Sequence, residues 1–136
     1  MKKIKAFVEI GKDGTYGVYV DLKDNTLNYG VIGDGKTAKE AIEDFKICYE
    51  EMKNLYEEEG KKFVEADFEF HYDVASFLSY YNQFLSLVGL SKLTGINKAQ
   101  LSHYIQGFRN PSVQTAKKIQ LALNNFADEL KSIQFT

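Results

Sequence analysis

The chain has 136 residues, 44% of them hydrophobic and 14% aromatic, with a formal net charge of −2. That length can bury the core of one domain or of two small ones, and that apolar content excludes a disordered chain. No apolar run reaches the roughly eighteen residues of a membrane helix, the N-terminus lacks a signal-peptide pattern, and a single cysteine, Cys48, excludes an internal disulfide, so a cytoplasmic protein is expected.

Residues 2–10 alternate, with Ile4, Ala6, Val8 and Ile10 on one side and Lys5, Phe7 and Glu9 on the other. That period of two predicts a half-buried strand. Asp13-Gly14 is a hairpin signal, and residues 15–21 give a second strand with Tyr16, Val18 and Val20 on one face. A turn at Lys23-Asp24-Asn25 leads to a third strand predicted over residues 27–33.

The period then changes to 3.6. Thr37 and Glu40 form a capping box, in which the hydroxyl accepts from the third N–H and the carboxylate reaches back to the cap. Ala38, Ala41, Ile42, Phe45, Cys48, Tyr49, Met52, Leu55 and Tyr56 share one helical stripe, which Gly60 ends. Residues 66–72 alternate Phe68, Phe70 and Tyr72 against Asp67, Glu69 and His71, a fourth strand. The order β-β-β-α-β predicts one sheet packed on one long helix over residues 1–73.

The run Gly33-Asp34-Gly35-Lys36-Thr37-Ala38-Lys39-Glu40-Ala41, following a strand hairpin, resembles the HicB antitoxin family. The resemblance covers about the first seventy residues; at Asp21-Leu22-Lys23-Asp24 the chain departs from the proline-containing turn of many members. It implies a partial RNase H-like N-terminal domain that binds and occludes a small basic mRNA-cleaving toxin of the HicA type, itself of double-stranded-RNA-binding fold. It also implies a C-terminal domain that binds operator DNA upstream of the operon, as a dimer or larger assembly.

Residues 74–136 are predicted to be all helical. A first helix spans residues 74–85, with Phe77, Leu78, Tyr81, Phe84 and Leu85 at helical spacing. Leu90 and Leu93 mark a second helix, Gly95-Ile96-Asn97 a tight turn with Asn97 as N-cap, and Leu101 and Ile105 a third helix stopped by Gly107 and Pro111. Leu90, Leu93, Ile96, Leu101 and Ile105 are expected to face inward. Ser112 caps a further helix through Val113, Ala116, Ile119, Leu121 and Leu123. Phe126, Leu130 and Ile133 form a last one, read as core first and dimer seam second.

Helix, short glycine turn, helix is the skeleton of a helix-turn-helix, whose second helix enters the DNA major groove. Leu90-x-x-Leu93-Thr94-Gly95-Ile96-Asn97, Leu101-Ser102 and Gly107-Phe108-Arg109-Asn110-Pro111 resemble the Cro/phage-repressor (Xre-type) family over roughly the last sixty residues. Ser91 stands where that family often has alanine, and Leu87-Val88-Gly89 where it usually has a polar residue. Lys98, Gln100 and His103 are expected to face bases, with Lys92, Asn97, Ser102 and Arg109 on phosphates and Tyr104 between core and groove.

Charge divides along the same line. Residues 1–73 hold 11 lysines against 17 carboxylates, net −6, while residues 74–136 carry net +4 and have no carboxylate between Val74 and Ala127. The basic part suits a phosphate backbone and the acidic part a basic protein.

No catalytic constellation is found. His71 and His103 have no partner at metal-ligand spacing, Cys48 lies inside an apolar stripe, and Gly33-x-Gly35 lacks the third glycine of a dinucleotide loop. Glu9, Glu40 or Glu43, and Asp73 are the carboxylates an RNase H-like metal site would draw on, but Glu40 is committed to capping and Glu9 to a solvent face. The expectation is therefore an α+β plus all-α protein that is not an enzyme and has no metal or cofactor. Its expected partners are operator DNA, a small basic HicA-type toxin and a second copy of itself, as homodimer or larger oligomer. A helix-turn-helix regulator whose N-terminal domain senses a small ligand is the alternative.

Overall fold

The computed structural model describes residues 1–136 and divides into two compact units, Met1–Ser76 and Phe77–Thr136. In the first, β1 (Lys2–Ile10), β2 (Tyr16–Val20) and β3 (Ile32–Gly35) precede helix α1 (Ala38–Glu58) and β4 (Ala66–Tyr72). The sheet order is β3-β2-β1-β4; β1, β2 and β3 pair antiparallel and β4 runs parallel to β1. A parallel neighbour needs a crossover, and α1 supplies it.

Side-chain alternation sends Ile4, Ala6, Val8, Tyr16 and Val18 into the core beneath α1, all at most 5% exposed. Phe45 on α1 is fully buried and meets Phe68 and Phe70 edge-on, with ring centroids 4.8 and 5.6 Å away. Burying one such ring contributes about 1.5–3 kcal/mol. The Gly33-x-Gly35 pair permits the close approach. A Cβ at Gly33 would sit 2.3 Å from the Ala41 carbonyl oxygen, and one at Gly35 2.6 Å from the Ala41 nitrogen.

Thr37 Oγ1 accepts from the Glu40 N–H as expected, but the Glu40 carboxylate accepts from the N–H of Lys36, one residue before the cap. At the far end Gly60 takes a φ of 66°, and Gly60 and Lys61 return their N–H groups to the carbonyls of Glu57 and Tyr56. That is a Schellman ending.

The third strand differs from expectation: it is Ile32–Gly35, not residues 27–33. Tyr29 draws the preceding segment out of the sheet. Its ring stacks on Phe63 at 4.3 Å and meets Tyr49 and Tyr56, while its hydroxyl donates to the Val64 carbonyl. Tyr56 in turn donates to the Asn28 carbonyl, and Asn28 to that of Lys62. An aromatic cluster thus replaces strand pairing there.

The two units divide at Ser76/Phe77, inside α2 (Val74–Tyr81). The helix expected over residues 74–85 stops at Tyr81, where Phe84 and Leu85 fold their N–H groups back to the Tyr81 carbonyl. Then come α3 (Leu87–Thr94), α4 (Lys98–Ile105) and α5 (Val113–Ser132). The two terminal helices expected from the sequence are one: residues 113–132 contain neither glycine nor proline to interrupt them.

Candidate nucleic-acid interface

The turn between α3 and α4 is built by five short-range hydrogen bonds. Gly95 adopts a left-handed backbone, φ 74°, and its N–H bonds the Ser91 carbonyl, ending α3. Ser91 Oγ donates to the Ile96 carbonyl at 2.6 Å, so the serine that departs from the Xre pattern ties the turn together. Thr94 Oγ1 donates to the Leu90 carbonyl and accepts the Ile96 N–H at 3.1 Å. Asn97 Oδ1 then accepts the Ala99 N–H at 2.7 Å and starts α4. Such a cap is worth about 1 kcal/mol.

Beneath the turn lie Leu90, Ile96, Leu101, Tyr104 and Ile119, all at most 6% exposed, with Thr94 buried among the polar groups. Leu93 and Ile105, expected inward, are half-buried. Gly107 at φ 77° closes α4; Gly107 and Phe108 donate back to the carbonyls of Tyr104 and His103. The recognition candidate is therefore a two-turn helix locked at both ends.

Of the seven residues expected at the interface, Lys92, Asn97, Lys98, His103 and Arg109 are exposed, while Gln100 and Ser102 are half-buried. At 100° per residue Lys98, Ala99, Ser102, His103 and Gln106 share the outward side of α4, and Gln100 falls on its flank. There its amide donates to the hydroxyl of Tyr104, which is 2% exposed. Tyr104 is thus core rather than a residue between core and groove. Asn97 spends its side-chain oxygen on the cap, leaving its amide nitrogen for a phosphate.

Three further residues, Phe108, Ser91 and Thr94, were not singled out as contacts from sequence. Phe108 is 76% exposed and meets His103 edge-on, ring centroids 6.0 Å apart, so the imidazole has an apolar neighbour. Ser91 and Thr94 shape the turn through hydroxyls that sequence patterns treat as interchangeable with small residues. Lys118 brings its ammonium close to Gly95, beside the negative end of α3.

The electrostatics favour a polyanion. Neither α3, α4 nor α5 has an acidic residue in its first turn, and each is capped by a neutral side chain, Ser86, Asn97 or Ser112. Their positive dipole ends are left uncompensated by carboxylates. In the first unit Glu9 is hydrogen-bonded to Tyr19, Glu40 is a capping group, and no group of three or more His, Cys, Asp or Glu side chains converges. No helix is long and apolar enough to cross a membrane.

The helix-turn-helix family matches residues 85–127, which takes in α3, the turn, α4 and most of α5. No curated protein and no solved structure matches the chain. Residues 85–127 are a helix-turn-helix domain, the DNA-binding module of transcription regulators.

Proposed function

We propose that this chain is the cytoplasmic antitoxin of a type II toxin–antitoxin pair. Its first unit neutralises a small basic mRNA-cleaving HicA-type toxin, and its helix-turn-helix represses its own operon as a homodimer or larger assembly. The observation that carries the reading is the pairing of a carboxylate-rich β-β-β-α-β unit, entered through Gly33-Asp34-Gly35-Lys36-Thr37, with a DNA-binding domain free of carboxylates up to Ala127. The sheet order β3-β2-β1-β4, with β4 parallel to β1, supports the partial RNase H-like character that the HicB resemblance implies.

On DNA, Lys98 and His103 contact bases from α4, and Gln100 does so from its flank, held by Tyr104. Lys92, Asn97, Ser102 and Arg109 contact phosphates. A two-fold dimer then protects two half-sites about one helical turn apart. Co-expression with the product of the adjacent gene tests the whole. A small basic protein should be toxic alone, tolerated with this chain, and co-purify with it. Lys98→Ala and His103→Ala should weaken operator binding about tenfold or more and still neutralise. A neighbouring product that neither harms growth nor binds would overturn the reading.

A further inference from the structure

Helix α1 covers one face of the sheet and no element of the first unit covers the other. Strand register arranges that outer face in rows. Lys3 lies beside Asp67 and Lys5 beside Glu69, so opposite charges there are neighbours. The next row is His71, Phe7, Tyr19 and Ile32, one residue from each strand. Phe7 and Tyr19 are in ring contact, centroids 5.7 Å apart, and Ile32 is 63% exposed. The row beyond is Glu9, Gly17 and Asp34, two carboxylates with no side chain between them and neither in an ion pair within the chain.

Gly17 leaves a dent. A cavity of about 250 Å³ opens above it, lined among others by Glu9, Thr15, Tyr19 and Asp34. The fold does not require glycine here. Its φ is not positive, and a Cβ would meet nothing nearer than Asp34 Oδ1 at 3.9 Å. Glycine inside a strand weakens it and marks places that something approaches closely. One wall is already oriented: Tyr19 donates to Glu9 Oε1 at 2.6 Å, leaving the second carboxylate oxygen free. Asp21 and Asp73 add negative potential at the Tyr19 hydroxyl.

We propose that this uncovered sheet face is the docking surface for a cationic protein, the apolar band Phe7–Tyr19–Ile32 covering the contact and the Gly17 dent accepting one arginine side chain between Glu9 and Asp34. The proposal rests on the antitoxin reading for its occupant, since that partner is a basic protein. The chemistry is that of a desolvated cation: two carboxylates offer a planar guanidinium charge-assisted hydrogen bonds, and the Tyr19 ring offers its face.

The test uses the full-length protein and a capped hexa-arginine peptide, followed by amide shifts and by calorimetry. Shifts should centre on Gly17, Tyr19 and Asp34. Gly17→Val keeps every charge, puts a strand-favouring residue in the dent and should weaken binding at least tenfold. Asp34→Asn should weaken it several-fold. Glu50→Gln with Glu51→Gln, on α1, removes two charges and should change it less than twofold. Unaltered binding by Gly17→Val, or shifts spread over α1, would show general attraction to acidic surface and overturn the proposal. So would a self-associated wild type that Ile32→Lys converts to monomer, because the face would then belong to a second copy. The antitoxin reading fails separately. If the adjacent gene's basic product binds wild type and Gly17→Val equally, only the docking surface is wrong; if it binds neither, the reading itself is.

Discussion

In α4 the side-chain amide of Gln100 donates to the phenol oxygen of Tyr104, one turn further on. A buried tyrosine thereby aims a residue on the edge of the recognition helix. Tyr104→Phe keeps the ring and removes the acceptor, so it should cost about 0.5–1.5 kcal/mol of stability. It should also lose the same part of operator preference as Gln100→Ala, and the double variant should lose no more than either alone. Additive losses in a binding cycle would mean the two act independently.

Thr94 is the hinge pin of the turn. Thr94→Val preserves shape but leaves the Ile96 N–H buried without its acceptor, at a cost of about 1–3 kcal/mol. Thr94→Ser keeps the oxygen and should recover most of that in denaturant unfolding. If Val and Ser variants unfold alike, the side-chain bond does not hold the turn.

Gly33 and Ala41 set the distance between sheet and helix. Gly33→Ala forces a methyl against the Ala41 carbonyl and should destabilise the first unit by about 3 kcal/mol or more. Gly30→Ala, where a Cβ meets nothing within 4 Å, should stay within about 0.5 kcal/mol of wild type. Equal unfolding midpoints for the two would remove the close-approach explanation for the glycine pair.

Stability should depend on pH at both extremes, with opposite signs. The hydrogen bond to Glu9, followed by partial burial, pushes the Tyr19 phenol up to about 12 from 10.0. Between those values the folded chain keeps a proton that the unfolded chain has lost, so stability is full below pH 10 and falls as pH rises towards 12. Glu9→Gln should bring the phenolate absorbance transition back towards 10. At the acid end, hydrogen bonds from Thr15 and Thr26 hold Asp13 and Asp24 below 3.8. Their contribution is present above that value and lost as pH falls through the lower folded values.

The sequence disclosed what short-range rules control. β1 and β4 were legible from alternation, α1 from its stripe, the Thr37 cap and Gly60, and the α3–α4 turn from Gly95 and Asn97. What it hid depends on contacts distant along the chain. The loss of residues 27–31 from the sheet follows from Tyr29 meeting Phe63 and Val64, over thirty residues away, which no period reveals. The steric role of Gly33 appears only when α1 lies across it. Within the candidate interface, Lys98 and His103 are exposed, while the position of Gln100 was obscured because a flank residue can face core or solvent according to its neighbour, here Tyr104.

The most direct measurement is fluorescence anisotropy of the full chain on a labelled duplex from upstream of its own gene and on a scrambled duplex, over a range of salt. Wild type should prefer its own sequence. Lys98→Ala should weaken the complex with its own sequence more than that with the scrambled duplex, and lower the log–log salt slope because a cation is lost. His103→Ala should erase about 1–3 kcal/mol of the preference, a tenfold loss or more, at nearly unchanged salt slope. Two variants that bind and discriminate as wild type does would contradict the claim that the outward side of α4 reads DNA.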